Sequence, residues 1–547
     1  MFTGLGIGRG DAVGLLSTNT GTLLAAILAA QAVGVAQPIN PTLSRVSVTH
    51  LLQPGGARVL VAAGPELSPE TRALAVSLGE ELDLAAVLAL RPDGAGVDRP
   101  PLAESTVRTA YLEDLALHAA SDRLDAPDRP GPDDLASYFH TGGTTGAPKL
   151  AAHTHGNEVA MAWSLAATSP LDEGATLLAG LPLFHVNALL VTGLAPLFRG
   201  QRTLWTGPLG YRAPNLYGVI WKLIEKYQVA SMSGVPTVYS VLSQVPVDAD
   251  LASLRFAAVG ASPLPPAVRH AFEQHTGVPL CEGYGLTEAT CASARSLPGS
   301  IRTGSVGQRL PYQQIKAVAD GRDLPAGQNG VLMISGPTVF PGYLRPGTGG
   351  RPVIEAAGKV IDGWLDTGDL GRVDTDGYVY LTGRAKDLII RGGHNIDPSV
   401  IEDALLDHPD VTGASAVGRP DPHSGEVPIA YVTVRPGAGV DEADLRAWAA
   451  AGVPEPAAAP KDVHIVSELP LTAVGKPFKP TLREDALRRV LAGDLPEAVL
   501  DVTTVDGRLT VTVEEAADPS SVEETLSRYA VTWAWAWRTT ESEGAEQ

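Results

Sequence analysis

The sequence predicts an α/β protein: a large N-terminal domain of parallel and mixed sheets with helices, then a small C-terminal α/β domain. Three observations carry that expectation. Short apolar runs alternate with Ala- and Leu-rich helical stretches over the first three hundred residues. From 301 to 383 the texture changes to strands punctuated by turn residues. After Gly383 a second, shorter alternation begins and ends near 480. At 547 residues the chain exceeds what one hydrophobic core holds, so two or more domains are expected.

Taken in order, residues 12–17 are an apolar run that predicts a buried strand, 22–33 a helix and 59–62 a second buried strand. Strand, helix, strand at this spacing is a βαβ unit of a parallel sheet. Residues 91–134 are rich in Pro, Asp and Gly and read as a surface connection. Helical patterns at 156–167, 216–227 and 265–276 then alternate with apolar runs at 176–179 and 256–259. Strands follow at 330–335, 371–374 and 377–382. The expected boundaries are 1–383 for the large domain, 384–480 for the small one and 481–547 for a β/α extension. The small domain should hold a helix at 398–406, a strand at 429–435 and a helix at 442–450. The extension should hold strands at 499–505 and 508–514, a helix at 520–527 and an alternating strand at 531–537. Trp533, Trp535 and Trp537 share one face of that strand and read as its core-facing side.

Composition excludes several classes. With 41 basic and 61 acidic residues the formal charge is −20, and Lys and Arg are scattered, which argues against nucleic acid or an anionic membrane as main partner. The longest apolar stretch, 23–36, is interrupted by Gln31 and Gly34 and is too short to span a bilayer. Cys281 and Cys291 are the two cysteines, without metal-ligand spacing, so a reducing cytoplasm is the default compartment.

The most informative stretch is His140-Thr141-Gly142-Gly143-Thr144-Thr145-Gly146-Ala147-Pro148-Lys149. Three glycines let backbone N–H groups turn toward an anion, and hydroxyls and one lysine add donors, a composition suited to wrapping a polyphosphate. It is not the common P-loop, because Pro148 precedes the lysine and Leu150 follows it. Four more motifs follow in order: Glu282-Gly283-Tyr284-Gly285-Leu286-Thr287-Glu288; Gly363-Trp364-Leu365-Asp366-Thr367-Gly368-Asp369; Gly383-Arg384-Ala385-Lys386-Asp387; and Leu471-Thr472-Ala473-Val474-Gly475-Lys476.

Together these five resemble the adenylate-forming superfamily over residues 10–480, and Leu181-Pro182-Leu183-Phe184-His185 is most similar to its AMP-forming acyl-CoA synthetase branch. The resemblance implies ATP-dependent activation of an apolar acyl or aryl carboxylic acid to an acyl-adenylate with release of pyrophosphate. Transfer to the thiol of CoA follows. It implies that Thr141, Gly142, Gly143, Thr144, Thr145, Gly146 and Lys149 cradle the β- and γ-phosphates. Thr287 would contact the α-phosphate, Glu288 would hold Mg²⁺, Tyr284 would stack on adenine, and Asp369 and Arg384 would hold the ribose. Lys476 would bridge carboxylate and α-phosphate, His185 would gate the acyl pocket, and Gly260, Ala261, Ser262 and Gly283 would line it. Lys386 would be the hinge of a mobile small domain, and Gly392 and Gly393 would admit the pantetheine arm. Arg391 reads as a solvated charge.

Two departures qualify the match. Gly142 stands where many members have Ser, which removes a hydroxyl and leaves the backbone donors. The family usually carries several dozen residues before the point matching Gly8-Arg9-Gly10-Asp11, which implies a late start or a lost packing element. The alternatives keep adenylation and change the acceptor (a carrier-protein thiol in trans, an amine, or activation of nitrite for diazotisation), or make the chain a non-catalytic nucleotide sensor.

Overall fold

A computed structural model describes residues 1–118, 129–141, 149–345, 352–384, 387–391, 394–472, 475–505, 508–529 and 531–536. Its first sheet runs, from one edge, through Val353–Glu355, Gly342–Arg345, Lys149–Thr154, Leu135–Thr141, Val35–Ile39, Ala12–Leu16, Ala57–Ala63, Ala86–Leu90 and Thr109–Tyr111. The half built on Ala12–Leu16 is parallel, and every residue of that strand is buried. Strands covered on both faces need no alternation, which is why the sequence shows continuous apolar runs there.

The expected βαβ unit over 12–62 holds one more strand and helix than its apolar runs indicate. Val35–Ile39 pairs with Ala12–Leu16 on one side while Ala57–Ala63 pairs on the other, and the helix Arg45–Gly55 connects them. Gln37 and Pro38 hid that strand from an apolar count. Gln37 is fully buried and donates to the Leu51 carbonyl at 2.7 Å. The 91–134 connection likewise contains a short strand, Thr109–Tyr111, and a helix, Leu112–Leu117.

The second sheet changes character along its width. Arg202–Trp205, Thr176–Ala179, Val229–Gly234, Phe256–Val259 and Leu280–Tyr284 run parallel. From Ala294–Arg295 onward, through Gly307–Arg309, Tyr378–Arg384, Trp364–Val373 and Gly330–Ser335, the pairing is antiparallel. The helices Gly21–Val33 and His155–Ala167 contribute Ile27, Ala30, Met161 and Leu165 to one core shared with strands of both sheets. Gly21–Val33 buries Leu23, Ala26, Ile27, Ala30 and Gln31 and leaves Gly21, Ala25 and Ala29 exposed on the opposite face.

A smaller sheet of His394–Ile396, Ile389–Arg391, Gly425–Val434, Val411–Asp421 and Asp462–Ile465 packs on the helices Pro398–Leu406 and Glu442–Gly452 through a core of its own. A further three-stranded sheet, Ala498–Val505, Arg508–Ala516 and Thr532–Trp535, is covered by Pro519–Ser527 and by Lys479–Asp494. Trp535 is buried there and Trp533 packs against the same core; Trp537 lies outside the described residues. The helix Lys479–Asp494 runs across residue 480, so the small domain and the extension are joined through continuous helix.

Candidate active site

The strand Leu280–Tyr284 is the last parallel member of the second sheet: Ala257 pairs with Leu280 in parallel, and Tyr284 pairs with Ala294 in antiparallel. Open α/β sheets hold ligands outside the carboxyl ends of strands where the topology switches, and Tyr284 stands there. Across from it, Asp369 and Arg384 are cross-strand partners on Trp364–Val373 and Tyr378–Arg384. Arg384 Nε lies 2.9 Å from Asp369 Oδ1, and the Tyr284 hydroxyl donates to Asp369 Oδ2 at 2.7 Å. Both carboxylate oxygens are therefore engaged, and Asp369 is only 5% exposed. Burial and the Asp369 charge hold the Tyr284 hydroxyl well above the usual phenol range. Burial opposes the Arg384 charge, but Asp369 and Asp387 outweigh it and raise its pKa.

Beyond Tyr284 the chain turns sharply. A Cβ at Gly285 would lie 1.7 Å from the Cys291 carbonyl oxygen, so only glycine fits that position. Thr287–Ala289 forms one 3-10 turn, and Thr290 follows with φ 69° and ψ −45°. Cys291 N–H donates to the Ala289 carbonyl at 2.8 Å, which closes a γ-turn on a β-branched residue, a strained conformation that its surroundings must hold. They do so at several points. The Thr290 hydroxyl donates to the Thr338 carbonyl at 2.6 Å, and Phe340 N–H to the Glu288 carbonyl at 2.9 Å. The Tyr343 hydroxyl donates to Glu288 Oε1 at 2.6 Å, and Lys149 Nζ sits 5.5 Å from the centre of the Tyr343 ring. Glu288 Oε2 has no hydrogen-bond partner among the described residues.

Thr141 and Lys149 are cross-strand partners at the two ends of the expected phosphate loop. Gly142, Gly143, Thr144, Thr145 and Gly146 lie outside the described residues, as do Lys386, Gly392 and Gly393.

Lys476 arrives from the small domain on a tight hairpin. Thr472 N–H donates to the Lys476 carbonyl at 2.7 Å, Gly475 N–H to the Thr472 carbonyl at 2.8 Å, and Lys476 N–H to Thr472 Oγ1 at 3.1 Å. Gly475 has φ 79°, and a Cβ there would lie 3.1 Å from Thr237 Oγ1 and 3.4 Å from Val235 Cγ2, so the hairpin abuts the large domain. Burial, with help from Arg384 and against the pull of Asp369, lowers the Lys476 ammonium to about 8. Burial, Lys476 and His140 push His185 down to about 3. Lys476 thus feels the charges of Arg384 and Asp369, and His185 feels that of Lys476. His185 Nδ1 accepts from Asn187 N–H at 3.3 Å, and His140, lowered by burial to about 4, accepts from Asn40 N–H at 3.2 Å. Both imidazoles are neutral at pH 7.

Gly260, Ala261 and Ser262 follow the strand Phe256–Val259 at the same end of the sheet. Gly260 N–H donates to the Gly234 carbonyl at 3.3 Å, and Ala261 has φ 74°, left-handed backbone in a residue with a Cβ. A Cβ at Gly260 would stand 3.3 Å from the Gly283 carbonyl oxygen, which brings these two segments side by side. The expectation of a solvated Arg391 is corrected: its Nη1 donates to the Ala457 carbonyl at 2.8 Å, and the side chain is partly buried. Sequence reasoning passed over Tyr343, His153 and Thr290. No local pattern distinguishes a tyrosine, histidine or threonine that meets the motif only after the chain has folded.

Comparison with known proteins identifies the family. The AMP-binding enzyme family model matches residues 1–344, and the AMP-binding enzyme C-terminal domain model matches 400–476. A marinolic acid–CoA ligase of Pseudoalteromonas sp. (strain SANK 73390) is 38% identical over 504 residues, 89% of this chain and 74% of that one. A sulfoacetate–CoA ligase of Cupriavidus necator is 34% identical over 479 residues, 87% of each. The crystal structure of ATP-bound MatB from Rhodopseudomonas palustris superposes with a TM-score of 0.77 at 28% identity, covering 88% of this chain and 90% of that one. The chain belongs to the AMP-binding enzyme family, in the acyl-CoA synthetase branch of the adenylate-forming superfamily.

Proposed function

We propose that this chain is an AMP-forming acid–CoA ligase. It joins a carboxylic acid to ATP, releases pyrophosphate, and passes the acyl group from the adenylate to the thiol of CoA. The observation that carries this reading is the convergence of Tyr284, Asp369, Arg384 and Lys476 from two separate cores on one space. In the first step a carboxylate oxygen attacks the α-phosphorus and the bond to the leaving pyrophosphate breaks. Two anions meet and charge accumulates on the leaving group, so fixed positive charge is the main requirement. The Lys476 ammonium makes no hydrogen bond among the described residues, which leaves its three donors for carboxylate and α-phosphate oxygens. In the second step the CoA sulfur attacks the acyl carbonyl and AMP departs.

Asp369 and Arg384 are assigned to the ribose, Tyr284 to the adenine face, Thr287 to the α-phosphate and Thr141 with Lys149 to the phosphate loop. Glu288 suits Mg²⁺: one oxygen is held by Tyr343 and the other is left over. Among the described residues no group of three or more metal-ligating side chains exists, which fits a hard cation held by one carboxylate and by substrate phosphates. Such an ion neutralises charge on the polyphosphate. His185 stays neutral and serves as a wall of the acyl pocket, with Gly260, Ala261, Ser262 and Gly283 opposite. In this reading the large domain ends near 383 and the small domain turns about Lys386.

CoA phosphates are assigned to a surface groove on the small domain lined by Arg391, Arg446 and Lys461, a local cluster of cations in a chain of formal charge −20. A cytoplasmic setting agrees with the two free cysteines and with the finding that no helix among the described residues is long and apolar enough to cross a membrane. Pyrophosphate release measured over a panel of carboxylic acids, with and without CoA, tests the reading. Acid-dependent pyrophosphate and a CoA thioester are expected. Pyrophosphate without thioester would reassign the acceptor, and no pyrophosphate with any acid would refute acid activation.

A further inference from the structure

Behind the Thr287–Glu288 turn lies a buried polar chain that the reaction described above does not use. His153 is fully buried on the strand Lys149–Thr154, which leaves the expected phosphate loop, and its Nε2 lies 2.8 Å from the Thr287 carbonyl oxygen. A carbonyl only accepts, so that nitrogen carries the proton. The other ring nitrogen faces Glu158 Oε1 at 3.7 Å, and neither atom has another partner among the described residues. Glu158 is 3% exposed, and its Oε2 accepts from Gln31 Nε2 at 2.7 Å; the same amide also reaches Ser137 Oγ at 2.9 Å. Ser137 is the cross-strand partner of His153. The imidazole is therefore held in front by one carbonyl and packed at the side by the Phe139 ring at 5.2 Å, while Glu158 lies behind it at 3.7 Å without a hydrogen bond.

That carbonyl belongs to the segment carrying Thr287 and Glu288, and it sits three residues before the strained γ-turn at Thr290. A strained turn keeps its shape only while its neighbours over-determine it. The described bonds at Glu288, Thr290 and Tyr343 tie the segment to residues 338–343. His153 adds a direct hydrogen bond to the strand that begins at Lys149, a strand the segment otherwise reaches through Tyr343, the cross-strand partner of Ala151. We infer that His153, packed between Phe139 and Glu158, is a positioning residue that locks the Thr287–Glu288 turn to the strand leaving the phosphate loop, so that the α-phosphate and magnesium ligands stay in register with the groups holding the β- and γ-phosphates. The inference rests on the roles proposed for Thr287 and Glu288.

The test compares His153→Leu, which removes the donor, with His153→Gln, which keeps an amide N–H at similar reach, and with Glu288→Gln. For His153→Leu the adenylation kcat should fall about 10- to 100-fold, as for other groups that orient metal ligands. The ATP KM should move less than about threefold, and half-saturation by Mg²⁺ should rise by a similar factor to the fall in kcat. His153→Gln should recover most of the loss, with melting temperature recording folding in each variant. Equal falls in kcat and melting temperature without rescue by Gln would overturn the inference and leave His153 a core residue. Wild-type adenylation in Glu288→Gln would instead refute the underlying assignment of the turn, and a large loss there beside a wild-type His153→Leu would refute the inference alone.

Discussion

The two sides of the site are built in opposite ways. On the large-domain side, Asp369 is already held by Arg384 and Tyr284 across neighbouring strands, and the turn carrying Glu288 is bonded at Thr287, Glu288 and Thr290. On the other side, Lys476 stands on a hairpin held by its own short bonds, and its ammonium meets the opposite wall through charge and burial without a hydrogen bond among the described residues. A wall that binds the same nucleotide in both steps gains from rigidity, since nothing then reorganises when charge develops. In the proposed reaction Lys476 is needed in one step, and a weak tether lets it leave. Lysine suits that second job better than arginine, being a compact charge on a flexible stem whose protonation responds to its surroundings.

Breaking the loosely held side should have the largest effect. Lys476→Ala is expected to lower pyrophosphate exchange on the order of 100- to 1,000-fold while thioester formation from a supplied adenylate changes little. Normal exchange in that variant would remove Lys476 from the first step. The rigid side breaks most severely at Gly285→Ala, where the new methyl meets the Cys291 carbonyl. Overpacking of this kind costs about 1–3 kcal/mol, and here adenylation should also fall by more than tenfold, read by melting temperature and pyrophosphate release together.

Asp369→Asn should raise the ATP KM by roughly tenfold, the scale of one hydrogen bond to a charged group, and leave the CoA KM near wild type. A smaller effect separates the two sides by pH. The Lys476 ammonium, lowered to about 8, is lost as pH rises through that value rather than near 10.5. The kcat/KM for adenylation, which reports free-enzyme groups, should therefore fall above about pH 8. The residual activity of Lys476→Arg should stay level over the same range. The mildest change lies outside both walls. Val511→Ala, in the core of the C-terminal sheet, should lower the stability of that module by about 1–3 kcal/mol and leave pyrophosphate release within twofold.

Most of the secondary structure was legible because its period was plain. The helix at 398–406 and the strands at 176–179 and 256–259 stand where apolar spacing puts them. Val35–Ile39 was not legible, since Gln37 and Pro38 interrupt it, and Gln37 is buried with its amide N–H donated to the Leu51 carbonyl. Within the site, the glycine, carboxylate and lysine motifs could be read because each needs its neighbours in sequence. Tyr343, His153 and Thr290 could not, because their partners Glu288, Thr287 and Thr338 are joined to them by tertiary contact. The long helix across residue 480 was missed for another reason: it has apolar residues on two sides, each meant for a different core, and the sum resembles neither.

That helix, Lys479–Asp494, has a mechanical consequence. Leu482 and Ala486 bury against Val417, Ile429 and Tyr431 of the small domain, while Leu487 and Leu491 bury against Val502, Val511 and Val513 of the terminal sheet. It begins three residues after Lys476 and spans sixteen residues, so it is a rod of about 24 Å. Held by both cores, it is one rigid link between the small domain and the terminal sheet, so the sheet would move with the lysine hairpin in the proposed domain rotation. A fluorophore on that sheet would report the proposed rotation, and a clamp on the sheet would then hold the lysine in one of its two positions.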